Sequence, residues 1–127
     1  MTGVQTCALP ISLVQLARIR ESNGDEGVFF GRGSFRLFAP TEDALHGKAN
    51  ALVTIDEGWA FDQAQGAALE QAVLPTFTTT GGQLWLPSTA GHGGSSWLRG
   101  YVDRGRAAVE ADKREGLAFF EIGRAHV

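Results

Sequence analysis

The sequence feature that most constrains the fold is a short apolar run at residues 51–56, ALVTID. The run is nearly continuous and rich in β-branched side chains, and it lacks the polar–apolar alternation of a strand with one solvated face. Such runs are typical of strands that are buried on both faces of a parallel sheet. A second run, QLWLPS at residues 83–88, has the same character. The two runs together predict adjacent strands of a parallel sheet.

Helical signals lie beside these two runs. Asp62 can cap a helix over residues 63–74, and Pro75 ends that helix. Either Ser95 or Ser96 can cap a second, longer helix. The side chains predicted to face inward are Ala67, Ala68, Ala72, Val73 and Leu74 in the first helix and Trp97, Leu98, Tyr101, Val102, Ala108 and Val109 in the second.

The remaining segments complete an α/β pattern. Residues 12–22 carry apolar side chains at helical spacing and predict the end of a helix. Residues 28–30 and 34–39 flank a Gly-Arg-Gly turn and predict a β-hairpin near the N-terminus, and residues 41–50 predict a short helical turn or loop. GLAFF at residues 116–120 predicts a third parallel strand. The alternation of strands and helices favours a parallel sheet with right-handed crossovers.

Composition excludes several classes of protein. The chain has 127 residues and a formal net charge of −3, which fits one domain or part of one. Mild acidity argues against a general basic surface for nucleic acid. No run approaches the roughly 18 apolar residues of a membrane span, so we expect no membrane segment. Cys7 is the only cysteine, which excludes a disulfide within the chain.

Both ends of the chain resemble the translation of a common sequencing adapter, read in opposite orientations. The first such segment is MTGVQTCALPI at residues 1–11, and the last is IGRAHV at residues 122–127. Ser12 and Glu121 are the junction residues. We therefore expect residues 12–121 to be the native part of the chain, and both end segments are excluded from fold reasoning.

Two adjacent acids, Asp56 and Glu57, end the first apolar run. In open parallel sheets, ligands bind beyond the carboxyl ends of the strands, so catalytic groups are expected there. Phosphoryl transfer from ATP needs Mg²⁺, which a single carboxylate such as Asp56 can hold through a water molecule. The neighbouring Glu57 can take the proton of the attacking water. The alternative is that two acids simply follow a strand into a solvated loop, and the pair taken alone favours that alternative.

The second apolar run is followed by Ser88, Thr89 and Ala90. Small hydroxyl residues beside a catalytic strand can sense a γ-phosphate and move a loop on hydrolysis, but a Ser/Thr turn is the commoner explanation. GHGGSS at residues 91–96 is rich in glycine but lacks the lysine of a phosphate-binding loop. Residues 91–96 are therefore expected to form a flexible connection to the next helix.

Other conspicuous side chains have ordinary structural explanations. His46 and His92 are too few and too scattered for a zinc site, and His92 is expected to be solvated. Trp59 and Phe61 are expected in the core. Basic residues on and just after the long helix alternate with acids and predict a salt-bridged, solvated face; they are Arg99, Arg104, Arg106, Lys113 and Arg114.

Taken in order, these segments resemble the large terminase subunit of tailed bacteriophages, the ATPase of the genome-packaging motor. APTEDALHGKANALVTIDEGWAF is similar to the segment that leads into the Walker B strand and catalytic glutamate of that family. LEQAVLPTFTTTGGQLWLPSTAG resembles the following helix, loop and coupling-motif strand. SSWLRGYVDRGRAAVE and GLAFFE are similar to what comes next, so the resemblance covers nearly all of the native part.

The resemblance implies an α/β fold, an incomplete parallel-sheet P-loop ATPase core of the RecA-like type flanked by helices. It implies that Asp56 is the Walker B aspartate and holds Mg²⁺ through water, that Glu57 is the catalytic glutamate, and that the coupling motif is Ser88, Thr89 and Ala90. ATP and Mg²⁺ are the implied cofactors. The implied partners are double-stranded viral DNA, the portal protein, the small terminase subunit and further copies of the chain, in the cytoplasm of a bacterial host.

The phosphate-binding motif G-x-x-x-x-G-K-[ST] is absent from the chain. We expect it upstream of residue 13 in a longer parent protein, with a nuclease domain downstream of residue 120. Without the amides and lysine of that loop, the phosphates of ATP have no cradle, so we expect this chain alone to lack ATPase activity and to be marginally stable. Two other interpretations stay open: part of a DNA or RNA helicase-type ATPase, and a non-enzymatic α/β interaction domain in which the acid pair is incidental.

Overall fold

A computed structural model of the chain describes residues 16–41, 48–113 and 115–123. The chain forms two compact units, the first ending at Ala44 and the second beginning at Leu45. The described residues contain both short strands and α-helices, which makes the protein mixed α/β. Some predictions fall outside the described residues, namely those on residues 12–15, on residues 42–47 with His46, and on Arg114.

The first unit is an antiparallel sheet of three strands, β1 (Arg18–Arg20), β2 (Gly27–Phe30) and β3 (Gly33–Arg36). The β2–β3 pair confirms the predicted hairpin, although β3 is shorter than predicted and does not reach residue 39. In the turn, Gly31 has a φ of 55°, a left-handed conformation that glycine adopts without steric cost. The Gly-Arg-Gly signal therefore marks the turn correctly.

The helix predicted at residues 12–22 is wrong where the structure describes it, because β1 occupies part of that range. Arg18, Ile19 and Arg20 alternate polar and apolar side chains, and Ile19 pairs with Val28 of β2. A helical end of a few residues cannot offset its own nucleation cost, whereas pairing with β2 satisfies the backbone hydrogen-bonding groups directly.

Charge and one aromatic ring hold together one face of this sheet. The guanidinium groups of Arg18, Arg20 and Arg36 lie 5.6, 5.4 and 5.5 Å from the centroid of the Phe29 ring. Asp25 accepts hydrogen bonds from Arg20 and Arg36. These two bonds hold the pKa of the Asp25 carboxyl below its usual value. The acid thus offsets part of the positive charge that the three arginines concentrate.

The second unit contains a parallel pair of strands, β4 (Leu52–Thr54) and β5 (Gln83–Trp85), and helix α1 (Gln63–Val73) lies between them in sequence. Beyond the last paired residues, the amide of Ile55 donates to the carbonyl oxygen of Trp85 at 2.9 Å. The prediction of two adjacent parallel strands joined through a helix is therefore confirmed. Both strands are shorter than predicted.

The two helices of this unit begin differently. At the start of α1, Asp62 accepts a hydrogen bond from the amide of Gln65 at 2.9 Å, and the Gln65 side chain accepts one from the amide of Asp62 at 3.2 Å. This capping box confirms Asp62 as the predicted cap. The second helix, α2 (Ser96–Glu110), follows Ser95, whose side chain makes no capping hydrogen bond.

The core of the second unit lies between α1 and α2. Its buried apolar side chains are Leu69, Ala72, Val73, Trp97 and Leu98. Trp97 lies against Gly66 of α1, where an added Cβ would be 2.1 Å from the indole ring, so the close approach of the helices requires glycine there. Phe61 is half-buried and meets the Trp97 ring edge-on at 6.0 Å. Two predicted core residues are wrong, since Leu74 is 50% exposed and Val109 is 63% exposed.

Two features of the predicted sheet are also wrong. The strands β4 and β5 are not buried on both faces, since Leu52 is 52% exposed and Trp85 is 58% exposed. In the described residues the parallel sheet has only two strands, so both of its edges are open. Residues 116–120 form no strand. The Phe119 ring packs instead on α2 at Gly105, where an added Cβ would lie 2.3 Å from the ring.

The outer face of α2 is solvated, as predicted. The Arg104 guanidinium lies 4.2 Å from the centroid of the Tyr101 ring. Arg106 forms an ion pair with Glu121 at 2.6 Å, beyond the end of the helix rather than with an acid of the helix itself. Within the described residues, neither α-helix combines the length and the apolar character that crossing a membrane requires.

Candidate functional site

The candidate site lies at the carboxyl end of β4. Pairing with β5 extends to Ile55, and Asp56 and Glu57 follow it directly, both exposed to solvent. The Oδ1 atom of Asp56 accepts a hydrogen bond from the amide of Glu57 at 2.8 Å. The two acids therefore lie just beyond the edge of a parallel sheet, where ligands of such sheets bind.

Glu57 has a left-handed backbone, with φ at 53° and ψ at 46°. It precedes a 3-10 turn over Gly58–Ala60, and its carbonyl oxygen accepts a hydrogen bond from the amide of Ala60 at 2.9 Å. This conformation costs a residue with a side chain about 1–2 kcal/mol, so glycine is the ordinary choice. Backbone strain of this kind is concentrated at functional sites, where surrounding contacts maintain it. The strain makes Glu57 a candidate functional residue, although Asp112, just after α2 and outside this site, has a positive φ as well.

The loop after β5 reaches the same turn. The amide of Trp59 donates to the Oγ of Ser88 at 3.1 Å, and the Ser88 hydroxyl donates to the carbonyl oxygen of Thr89 at 2.9 Å. Because β4 and β5 are parallel, their carboxyl ends meet at one edge of the sheet, and this bond joins the loops that follow them. The structure therefore brings Ser88 against the turn that follows Glu57.

The other two residues of the predicted coupling motif are not joined to the acid pair. Thr89 contributes its carbonyl oxygen to the Ser88 hydroxyl, but its side chain makes no hydrogen bond to Asp56 or Glu57 among the described residues. Ala90 is exposed and has no polar side-chain atom. The roles of Thr89 and Ala90 stay predictions that rest on the sequence resemblance.

Ser95 also contacts the turn that contains Trp59. The sequence predicts Ser95 only as a candidate helix cap. It is 3% exposed, and its hydroxyl donates to the carbonyl oxygen of Trp59 at 2.7 Å while its Oγ accepts from the amide of His92 at 3.0 Å. The bond spans 36 positions of sequence. The only signal for this contact in the sequence is a serine after a glycine-rich segment, which predicts a helix cap equally well.

His92 is exposed, as predicted, but its side chain makes specific contacts. Its Nδ1 atom accepts a hydrogen bond from the amide of Gly94 at 3.0 Å. Its ring meets the indole of Trp59 edge-on, with centroids 5.8 Å apart. Trp59 itself is half-buried, so the prediction of a core position holds only in part. Trp59, in the turn after β4, is thus contacted by Ser88, His92 and Ser95 of the segment that follows β5.

Asp56 is the residue of this site that could hold a hydrated magnesium ion. Its Oδ1 atom is used by the Glu57 amide, and Oδ2 receives no hydrogen bond from the described residues. One carboxylate oxygen at the end of a paired strand suits Mg²⁺, which keeps several of its waters and needs one or two carboxylates. Nowhere among the described residues do three His, Cys, Asp or Glu side chains gather as a ligand group, and an ion held through water by one carboxylate needs no such group.

No protein-family model matches the chain, and no curated protein and no solved structure matches it either. The site is therefore defined by its own chemistry. It offers one carboxylate for a hydrated cation and a second carboxylate on a left-handed backbone. Two serine hydroxyls of the neighbouring loop bond to the backbone of Trp59, in the turn that follows this acid pair.

Proposed function

We propose that residues 12–121 belong to the ATPase domain of a large terminase subunit, the motor that packages viral DNA. The parallel pair β4–β5 is then part of a P-loop core of the RecA-like type. The observation that carries the proposal is the bond from the Trp59 amide to Ser88 Oγ, at 3.1 Å. It places a small hydroxyl residue after one parallel strand against the turn that follows the acid pair of the adjacent strand. An ATPase that couples hydrolysis to movement needs such a connection.

Glu57 is the general base in this proposal. Such a base must lie within hydrogen-bond reach of the attacking water, which requires a fixed backbone at its origin. The Asp56 carboxylate holds the amide of Glu57 at 2.8 Å, and the amide of Ala60 holds its carbonyl oxygen at 2.9 Å. Both peptide groups of Glu57 are therefore restrained, and its exposed carboxylate is free to accept a proton from water.

Asp56 has two tasks in this proposal. It is the residue that would hold Mg²⁺ through a water molecule, and it orients Glu57 by accepting that residue's amide proton. When bound, the ion neutralises charge on the β- and γ-phosphate oxygens of ATP.

The resemblance also supports the proposed partners, which are double-stranded viral DNA, the portal protein, the small terminase subunit and other copies of the chain. It supports the proposed location in the cytoplasm of a bacterial host as well.

The chain of 127 residues is not expected to hydrolyse ATP by itself, because its sequence lacks G-x-x-x-x-G-K-[ST]. The amides and lysine of that motif form the cradle for the phosphates. We expect the purified chain, mixed with ATP and Mg²⁺, to release no more inorganic phosphate than a buffer blank. Phosphate release that grows with protein concentration and disappears with Glu57→Gln would contradict this expectation.

The proposed function is tested by Glu57→Gln in a longer protein that carries this segment together with a phosphate-binding loop. The amide keeps the size of the side chain but cannot accept the proton, so we expect kcat for ATP hydrolysis to fall by about 10²–10⁴. Glu110→Gln is the matched control, since Glu110 is an exposed acid near the end of α2 and should leave kcat unchanged. Full activity of Glu57→Gln would favour the non-enzymatic interpretation of the acid pair.

A further inference from the structure

Ser95 occupies the N-cap position of α2 without capping it. A serine at this position ordinarily accepts a hydrogen bond from an amide of the first helical turn and so stabilises the helix. Here the side chain makes no such bond. Its hydroxyl donates to the Trp59 carbonyl oxygen at 2.7 Å, and its Oγ accepts from the His92 amide at 3.0 Å. The helix thus lacks its cap, and the same hydroxyl ties the helix to the turn beside the acid pair.

Serine hydroxyls hold the backbone of Trp59 on both sides. Its amide donates to Ser88 Oγ at 3.1 Å, and its carbonyl oxygen accepts from the Ser95 hydroxyl at 2.7 Å. Trp59 is the middle residue of the 3-10 turn Gly58–Ala60, which begins directly after Glu57. Because the turn is short, a change in the peptide groups of Trp59 is passed on to the backbone of Glu57.

The first residues of α2 pack closely against this turn. An added Cβ at Gly58 would lie 3.6 Å from both Leu98 and Trp97. In the loop before the helix, an added Cβ at Gly91 would lie 2.4 Å from the Cβ of Ser95 and 2.5 Å from its Oγ. Ser95 itself is 3% exposed, so its two hydrogen bonds are shielded from competing water.

We propose that Ser95 is a positioning residue for Glu57. It holds the carbonyl oxygen of Trp59, which fixes the turn after Glu57 and so maintains the left-handed backbone from which the carboxylate extends. A movement of the start of α2 therefore changes the placement of that carboxylate. The role of Ser95 in catalysis rests on the proposed function, whereas its hydrogen bond to Trp59 is a property of the chain itself.

The effect of the Ser95–Trp59 hydrogen bond on the turn is tested first in the 127-residue chain, by amide hydrogen exchange. Ser95→Ala should speed exchange of the Trp59, His92 and Ala60 amides about threefold to tenfold, because each depends on the turn or on the lost hydroxyl. Ser96→Ala is the matched control, since Ser96 is the next residue and is exposed. Equal exchange rates in Ser95→Ala and the unsubstituted chain would overturn the proposal.

A second pair of variants keeps the test decisive if Ser95→Ala fails to fold. Gly91→Ala keeps Ser95 in the sequence but displaces its side chain and hydroxyl, whereas an added Cβ at Gly93 meets no atom within 4 Å. We expect Gly91→Ala to reproduce the faster exchange at Trp59 and Ala60, and Gly93→Ala to leave it unchanged. Identical exchange in both variants would count against a role for the position of Ser95.

The positioning role is tested in the longer protein that carries a phosphate-binding loop. We expect Ser95→Ala to lower kcat for ATP hydrolysis about tenfold while the KM for ATP stays within about twofold, since binding does not need Glu57 but the chemical step does. Ser96→Ala should change neither constant. Full kcat in Ser95→Ala alongside an inactive Glu57→Gln would overturn the positioning role and leave the proposed function standing. Full kcat in Glu57→Gln would overturn the assignment of Glu57 as the general base, on which the positioning role rests.

Discussion

At the scale of single residues, Glu57 combines an exposed carboxylate beyond the end of β4 with a left-handed backbone, with φ at 53°. The identity of Asp56 and Glu57 and their place after an apolar run are local features, so the sequence predicts them as site residues. The left-handed backbone of Glu57 is not predictable, because glutamate is not a residue type that favours it. The ties from Ser88 and Ser95 to Trp59 join residues 29 and 36 positions apart. Such contacts depend on how β4 and β5 align.

The strain at Glu57 leads to a prediction about stability. Glu57→Gly removes the side chain that disfavours a positive φ while leaving the amide that donates to Asp56. We expect the free energy of unfolding of the chain, measured by urea denaturation, to rise by about 0.5–1 kcal/mol, a little below the full cost of the conformation because glycine also gains freedom in the unfolded state. Glu57→Ala, which keeps a Cβ, is the control and should not be stabilised.

A stability of Glu57→Gly at or below that of Glu57→Ala would show that the left-handed backbone carries no strain. It would then give no support to a function at this residue. The expected outcome is the reverse, in which the residue that the proposed reaction requires is not the residue that the fold would prefer.

At the scale of elements, segments with strong local signals are predicted correctly, whereas two segments whose structure depends on a neighbouring element are not. The Asp62 cap of α1 and the turn of the β2–β3 hairpin are local, and both predictions are confirmed. Residues 12–22 have a helical pattern, yet residues 18–20 form a strand, because β2 lies beside them. Residues 116–120 have strand-like composition yet form no strand, because a strand needs a neighbour to pair with.

The capping box of α1 leads to a prediction at this scale. Asp62→Ala removes the acceptor for the Gln65 amide, and we expect the free energy of unfolding to fall by about 1 kcal/mol. Gln65→Ala removes only the reciprocal bond to the Asp62 amide and should cost less. Gln63→Ala, at an exposed position outside the box, is the control and should change stability little. Equal effects of the three substitutions in urea denaturation would argue against the box.

At the scale of the whole molecule, the described core is small compared with the apolar surface around it. Buried apolar side chains come from α1 and α2, while β4 and β5 expose Leu52 and Trp85. The apolar composition of β4 and β5 predicts that both strands are buried. That prediction would be correct only in a sheet that helices cover on both faces. The proposed function supplies such a sheet, since it places β4 and β5 in a larger ATPase core. For the chain alone we expect marginal stability, because these side chains stay in water.

Acid should weaken both units of the chain. The pKa of Asp25 is lowered by hydrogen bonds from Arg20 and Arg36, and the pKa of Glu121 is lowered by its hydrogen bonds with Arg106. A carboxyl group whose pKa is lower in the folded state binds fewer protons there than in the unfolded chain. Its stabilising contribution is therefore complete above the unfolded pKa and is lost as the pH falls through the folded pKa.

We therefore expect the free energy of unfolding, measured in urea from pH 7 downward, to decrease progressively below about pH 4.5. The double variant Asp25→Asn and Glu121→Gln should be less stable at neutral pH and should lose less on acidification, because both ion pairs are already absent. Glu110→Gln, at an exposed acid near the end of α2, should follow the unsubstituted chain. Parallel pH profiles for the double variant and the unsubstituted chain would mean that these pairs do not stabilise the fold. High salt should also reduce the difference at neutral pH, since both pairs lie at the surface, where ions screen them.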